Sequence, residues 1–445
     1  MREVAQELKK REDLKRPLEQ TVLPSIDDFK KDESPKRQKT DLSRNDLLLQ
    51  KIKNNDPEIV RVELPYEEDS SFLSIVIKTL EKNTVVKEID LYGSNLSNED
   101  IKNLSKIVKL NKISHLNLNS TSLDSEKIKI LIDALADNTS LEYLSLNSIS
   151  LKIEDLRILI DAIKNHPNLS SLALGSSEVG NKGAAIISEL FHSKLPLKSL
   201  DIGQINITAE GIEIIANNIS SAKLMSLNLG YNNLRNEGVI KLLHALMANQ
   251  YIKELILNET RISEKSAEVI GSFLTSTPID TLDLNKNNLG DGIKYIASAL
   301  KLNPWLKTLN LNDNNLTHNN IKELTTALIE NKALETLLIS NNIEIGDLGF
   351  EAIANMLQKN NFLKKLALMN IKLGDLGAAY LATVFLYHKD HLQHIKELDL
   401  RDNNITNLGA ESLKSIPGNM TILIDGNDID NSIFEESVEA LGENN

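Results

Sequence analysis

From position 224 to 251 the chain reads "LMSLNLGYNNLRNEGVIKLLHALMANQY". Leu227 and Leu229 alternate with Ser226 and Asn228, which predicts a short strand with one buried face. "NNLRNEG" then turns the chain. Val239, Leu242, Leu243 and Leu246 recur at helical spacing, predicting a helix whose apolar stripe packs on that strand. The same phrase begins again at "IKELILNETRISEKSAEVIGSFLTSTP".

Aligned on L-x-x-L-x-L, units start at Val86, Ile113, Leu141, Leu169, Leu197, Leu224, Ile252, Ile279, Leu306, Leu334, Leu363 and Ile395. Spacings are 27 or 28 residues as far as Leu334, then 29 and 32. A degenerate unit precedes them from Ile59, and another follows through Ile422, Ile424, Asn427 and Ile429, giving about fourteen units. A fixed period of this length predicts a solenoid. Eight residues after the unit start stands an asparagine: Asn232, Asn287, Asn314, Asn342, Asn403 and Asn427. The backbone leaves the strand there and loses ladder partners, and an amide can both donate and accept. Ser94, Thr121, Ser177 and Thr260 can do part of this. Ile149, Ile205 and Ile371 cannot, which predicts looser turns in their units. Ser97, Thr208 and Ser263 stand where helix caps should fall.

The phrase resembles the leucine-rich repeat, and a helix in every 27–28-residue unit is similar to the ribonuclease-inhibitor-like subfamily. The resemblance covers residues 59–430. It implies an α/β solenoid shaped as a horseshoe, with parallel strands on the concave face and helices on the convex face. Packing distances agree: strands about 4.8 Å apart and helices roughly 8–10 Å apart cannot stack straight. The subfamily's glycine before the helix is kept at Gly183, Gly211, Gly238, Gly377 and Gly409 and replaced by Asp100, Lys127, Asp155 and Asn320.

The ends read differently. Residues 1–41 hold eleven Lys/Arg against ten Asp/Glu and three prolines, a disordered charged tail. Residues 42–58 predict a helical cap with Leu47, Leu48 and Ile52 as its stripe. Residues 431–445 predict a C-terminal cap or tail, with Ile433, Phe434 and Val438 able to close the array.

Composition narrows the chemistry. The chain has no cysteine, which removes disulfides, thiolate metal sites and thiol nucleophiles, and with them a cysteine-dependent ubiquitin ligase. Net charge is −13, nearly all of it outside the tail, so the array should repel phosphate backbones and no nucleic acid is expected. No apolar run reaches membrane-spanning length, and no membrane association is expected. No phosphate loop, nucleophile elbow or H-E-x-x-H motif occurs, so neither an enzyme nor a cofactor is predicted. His388, His391 and His394 gather in "HKDHLQH", a metal-binding set on a continuous helix and a solvated insertion if the segment leaves it.

Outward strand positions are small and polar, with carboxylates interspersed. A shallow acidic groove suited to a basic protein surface is one reading, and an inner face merely kept soluble is the other. The candidate partner-binding residues are Asp90, Tyr92, Tyr143, Asp201, Tyr231, Asp283 and Arg401. Tyr251, Trp305 and Phe362, each just before a unit start, form a rim row or plug gaps between helix and strand. In the tail, Lys36, Arg37 and Lys39 resemble a short nuclear import signal. Glu435, Glu436, Glu439 and Glu443 are similar to the Glu-rich C-terminal signals of type IV secreted effectors. These resemblances imply an intracellular protein-binding scaffold, monomeric when alone and acting in the cytoplasm or nucleus, of a host cell if secreted. One family of small-GTPase activators shares the architecture and supplies the alternative. That family's long acidic tail does not appear, and Arg401 is the only arginine at the fourth and sixth positions of the twelve regular units.

Overall fold

A computed structural model describes residues 43–64, 70–388, 392–414, 416 and 420–430. Its contacts divide the chain between Leu47 and Leu48. Of the first unit only 43–47 are described, the last four in the helix Arg44–Lys53. The second is a single parallel sheet of fourteen strands in sequence order, from β1 (Arg61–Glu63) to β14 (Thr421–Leu423). Its order is open, so β1 and β14 do not meet. Each strand is three residues long, and a helix follows each strand from β1 to β13. Leu227 pairs with Leu200 and Leu255, and the same register holds throughout. The inward leucines and isoleucines form one continuous core. This is an α/β leucine-rich-repeat solenoid, strands on the inner side and helices on the outer. Among the described residues, no helix is long and apolar enough to cross a membrane.

The asparagine slot works in both directions at once. Asn342 Nδ2 donates to the Leu311 carbonyl of the preceding unit at 3.0 Å and to Ile339 of its own at 2.8 Å. Its Oδ1 accepts from Asn314 N and Leu316 N, both at 2.9 Å. Asn232, Asn287 and Asn403 repeat the pattern. The turns at Ile205 and Ile371 are therefore not loose. Asn232 and Asn403 of the following units bind their amides, at 3.1 and 3.0 Å. Each slot serves the unit before it, so an isoleucine is covered by the next asparagine. Ile149 is held similarly, its carbonyl accepting from Ser177 Oγ at 3.2 Å.

A second amide ladder stands three residues before the unit start, at Asn83, Asn138, Asn249, Asn303, Asn331 and Asn360, all buried. Asn331 Nδ2 donates to the Leu300 carbonyl near the end of the preceding unit's helix, Ile293–Leu302, at 2.6 Å. Its Oδ1 accepts from Ala333 N at 3.0 Å and Leu334 N at 2.8 Å, steering the chain into the next strand. His166 fills the slot once. Its Nδ1 accepts from Asn168 N (3.2 Å) and Leu169 N (2.9 Å), so Nε2 carries the proton toward Asn138 Oδ1 at 3.1 Å.

Helix starts are capped between units. Asp375 Oδ1 accepts from Thr406 N at 2.8 Å and Gly409 N at 3.0 Å, and a Cβ on Gly409 would lie 2.5 Å from that oxygen. Asn181 crosses Gly211 in the same way, taking Thr208 N at 2.9 Å, so Thr208 makes no side-chain cap of its own. Where Asp100, Lys127 or Asn320 replaces the glycine the unit caps itself, while the helix holding Asp155 has no side-chain cap. Ser97 with Asp100 and Thr317 with Asn320 form complete capping boxes. Ser263 caps only a short 3-10 turn, Glu264–Ser266.

Of the predicted N-terminal stripe, Ile52 is buried and Leu48 half-buried, but Leu47 is exposed and Leu49 packs inward instead. The 32-residue unit holds its extra length in the long helix Asp375–His388 and a 3-10 turn at Leu392–His394. The tail, its basic residues and the caps proposed from Ile433, Phe434 and Val438 lie outside the described residues.

His166 makes a pH prediction. Burial holds its pKa below the ordinary 6.5, so the neutral ring is the folded form. The stability it contributes is complete above about pH 6.5 and is lost as pH falls from there toward the depressed folded value. His166→Asn should restore the ladder and remove this component. Chemical denaturation at pH 7.5 and 5.5 should show a smaller stability loss in the variant than in the wild type. Equal losses would contradict the assignment.

Candidate functional site on the inner face

Three outward rows cross the strands, at the second, fourth and sixth residues after each unit start. The fourth carries Asp90 at the end of β2 (Glu88–Asp90), Asp201 ending β6 (Ser199–Asp201), Asp283 ending β9 (Thr281–Asp283) and Asp399 ending β13 (Glu397–Asp399). Neighbouring strands are about 4.8 Å apart. Asp201 and Asp283 are three strands apart and share one region, whereas Asp90 and Arg401 stand near opposite ends. The seven candidates do not form one site.

At the N-terminal end, Asp90 is an ion-pair partner of Arg61 at 3.0 Å and also accepts from Asn117 Nδ2 at 2.9 Å. Tyr92 is exposed, and Tyr143 stacks on His115 with centroids 5.7 Å apart. At the C-terminal end Arg401 grips Asp399 with two bonds, of 2.9 and 2.7 Å. That guanidinium holds the Asp399 carboxyl below its ordinary range. Lys365 likewise pairs with Glu397 at 2.8 Å. The acids at both ends are thus largely neutralised.

The middle is not. Among the described residues Asp201 accepts hydrogen bonds from amides alone, Gly203 N at 3.0 Å and Asn147 Nδ2 at 2.9 Å. Glu254, in β8 (Glu254–Ile256), accepts from Ser226 Oγ at 2.7 Å. Asp283 accepts from Asn285 N at 2.8 Å. Burial pushes the Asp283 carboxyl above its usual range, and the nearby Glu254 charge adds to this, against the donations from Asn285 and Asn310. No ion pair to these three acids occurs among the described residues.

Tyr231 stands in the loop after β7 (Ser226–Asn228), half exposed, with Lys286 Nζ 5.9 Å from its ring centre. Its φ is 58°, in the left-handed region that a bulky side chain rarely adopts. Every regular unit takes this conformation at the same place, as at Ser148, Gln204 and Asp313, while glycine supplies it only at Gly93 and Gly426. The repeat thus imposes the turn, and tyrosine is an unusual residue to meet it.

Tyr251, Trp305 and Phe362 are 50%, 38% and 40% exposed. The second amide ladder fixes their backbones, Asn303 Oδ1 accepting from Trp305 N at 2.9 Å. A shallow hollow of about 500 Å³ lies beside Phe362, Lys332 and Lys359. His388 ends a helix and His394 a 3-10 turn, with His391 outside the described residues; among those described, no group of three or more His, Cys, Asp or Glu could hold a metal ion. Glu254 is the residue sequence reading missed. It lies two residues before Ile256, so the period-two alternation that placed Ile256 outward also places Glu254 there.

Residues 220–243 and 391–414 match the family model described as Leucine Rich repeat. In structure, the chain is similar to one from the yeast Rad7 and Elc1 complex, with a TM-score of 0.53 at 15% identity over 84% of this chain and 86% of that one. An internalin (inlF) from Listeria monocytogenes aligns over 87% of this chain and 94% of its own, at 20% identity and a TM-score of 0.43. The chain is built of leucine-rich repeats, in the α/β solenoid form described above.

Proposed function

We propose that this protein is a binding scaffold whose inner face, between β6 and β9, receives a basic segment of a protein partner. The supporting observation is the set Asp201, Glu254 and Asp283, to which no cation is paired among the described residues, whereas Asp90, Glu397 and Asp399 toward the ends of the face are paired. The ionised form of Asp283 is disfavoured in the fold, so this carboxylate is kept at a cost to stability. Residues retained against stability are common at binding sites. Tyr231 supplies an aromatic anchor beside the charge.

The finer reading is a ribonuclease-inhibitor-like scaffold delivered as a bacterial effector into a host cell, where the basic tail directs it to the nucleus. It draws on the unit length and on the two terminal motifs. The alternative, activation of a small GTPase, calls for a free arginine on this face. The two arginines in its outward rows are both committed, Arg61 to Asp90 and Arg401 to Asp399.

Two experiments test this. Because the folded pKa of Asp283 is raised, its favourable contribution belongs to low pH and is lost as pH rises through that value. At pH 7.5, Asp283→Asn should therefore melt no lower than the wild type while enriching fewer partner proteins from a eukaryotic lysate. Asp201→Lys with Asp283→Lys should abolish salt-sensitive enrichment, and Glu210→Lys on the helix side should leave it intact. The same proteins held equally by the reversed face would contradict the site. Separately, residues 1–45 fused to a bulky fluorescent reporter should concentrate in eukaryotic nuclei. Lys36→Ala with Arg37→Ala should return it to the cytoplasm. A wild-type fusion that stays cytoplasmic would contradict the nuclear reading.

A further inference from the structure

The repeat supplies its own control for each surface position. In every regular unit, the residue just before the buried slot at the helix start faces solvent. In nine successive units it is charged or an amide, from Glu99 and Glu126 through Glu237 to Asp291 and Asn319. In the next three it is Leu348, Leu376 and Leu408, exposed at 68%, 56% and 72%. Nothing in the fold asks for leucine there, since the same slot holds glutamate elsewhere.

The middle leucine lies on the helix Asp375–His388, "DLGAAYLATVFLYH", which has no charged residue between its ends. Ala378, Leu381, Val384 and Phe385 fill its buried face. The outer face bears Leu376, Thr383, Leu386 and Tyr387, with Tyr380 half-buried. A helix apolar all round belongs in an interior. Here one side is left in water, and contiguous apolar surface of this kind marks an interaction site.

We propose that this surface is the interface of a homodimer, with a two-fold axis running along the helix Asp375–His388. The occupant follows from the pattern. Three identical side chains in adjacent units, the central one on the axis, map onto their own copies in reverse, so Leu348 meets Leu408 of the second copy and Leu376 meets Leu376. A self-complementary patch is what a two-fold contact requires. Charge points the same way. In a chain of net charge −13, two copies repel over most of their surface, and this helix has no charged residue between its ends. The acidic inner face stays free for the partner proposed above, so the two inferences stand independently.

Sedimentation of the full chain should show a dimer. Leu376→Glu should give a folded monomer that melts as the wild type does when diluted to monomer, because glutamate already occupies this slot in Glu99, Glu126, Glu154, Glu210 and Glu237. The absence of cysteine allows a positional test. Leu376→Cys should cross-link to its own copy on mild oxidation, since the axis brings the two sites together, and Glu210→Cys should not. A monomeric wild type would overturn the proposal and leave the leucine row to a different protein. So would a dimer that survives Leu376→Glu, or one in which Leu376→Cys fails to cross-link.

Discussion

The structure depends on pairing backbone groups where three-residue strands end. A strand this short satisfies few of its own donors and acceptors, and the turn that follows lies against the core, away from water. An unpaired buried amide or carbonyl costs about 1–3 kcal/mol, and the solenoid meets the problem once per unit. Its answer is a side-chain amide that reaches back to the preceding unit while holding its own turn. A repeat cannot satisfy its backbone alone. Neighbours are coupled by polar bonds as well as by apolar contact, and the array is continuous for that reason.

A regular inner face follows from this coupling. With the strands locked in one register, outward residues form straight rows, and a carboxylate in one unit stands at a fixed distance from that in another. Charge on such a wall becomes a matter of position. Arg61 and Arg401 neutralise the ends, and Asp201, Glu254 and Asp283 leave the centre negative. On the outer side the same regularity turns three leucines into a row.

Much of this was legible in the sequence, for physical reasons that differ by residue. The strand–helix phrase and the asparagine slot recur at fixed offsets, and each has one structural solution. The amide ladder before the unit start recurs as faithfully, yet it hides among the many asparagines near helix ends, and His166 interrupts it. The left-handed turn at Tyr231 left no mark because glycine seldom supplies it. Looseness at Ile205 and Ile371 was expected from residues considered within their own units, whereas the bonds come from the next one. The candidate site was legible only as a list of acids. Which of them are neutralised depends on Arg61, Lys365 and Arg401 reaching across strands or along the same one, and sequence spacing does not show that.

The central claim is that each slot asparagine secures the unit before it. Amide hydrogen exchange in Asn342→Ala measures this directly, with Asn355→Ala, an exposed change in the following helix, as the reference. The account predicts markedly faster exchange at Asn314 and Leu316, 28 and 26 residues upstream, and unchanged exchange at Ile205 and Ile207. The accompanying stability loss should be about 1–3 kcal/mol. Unaltered exchange at Asn314 and Leu316, or equal destabilisation by the two variants, would contradict it.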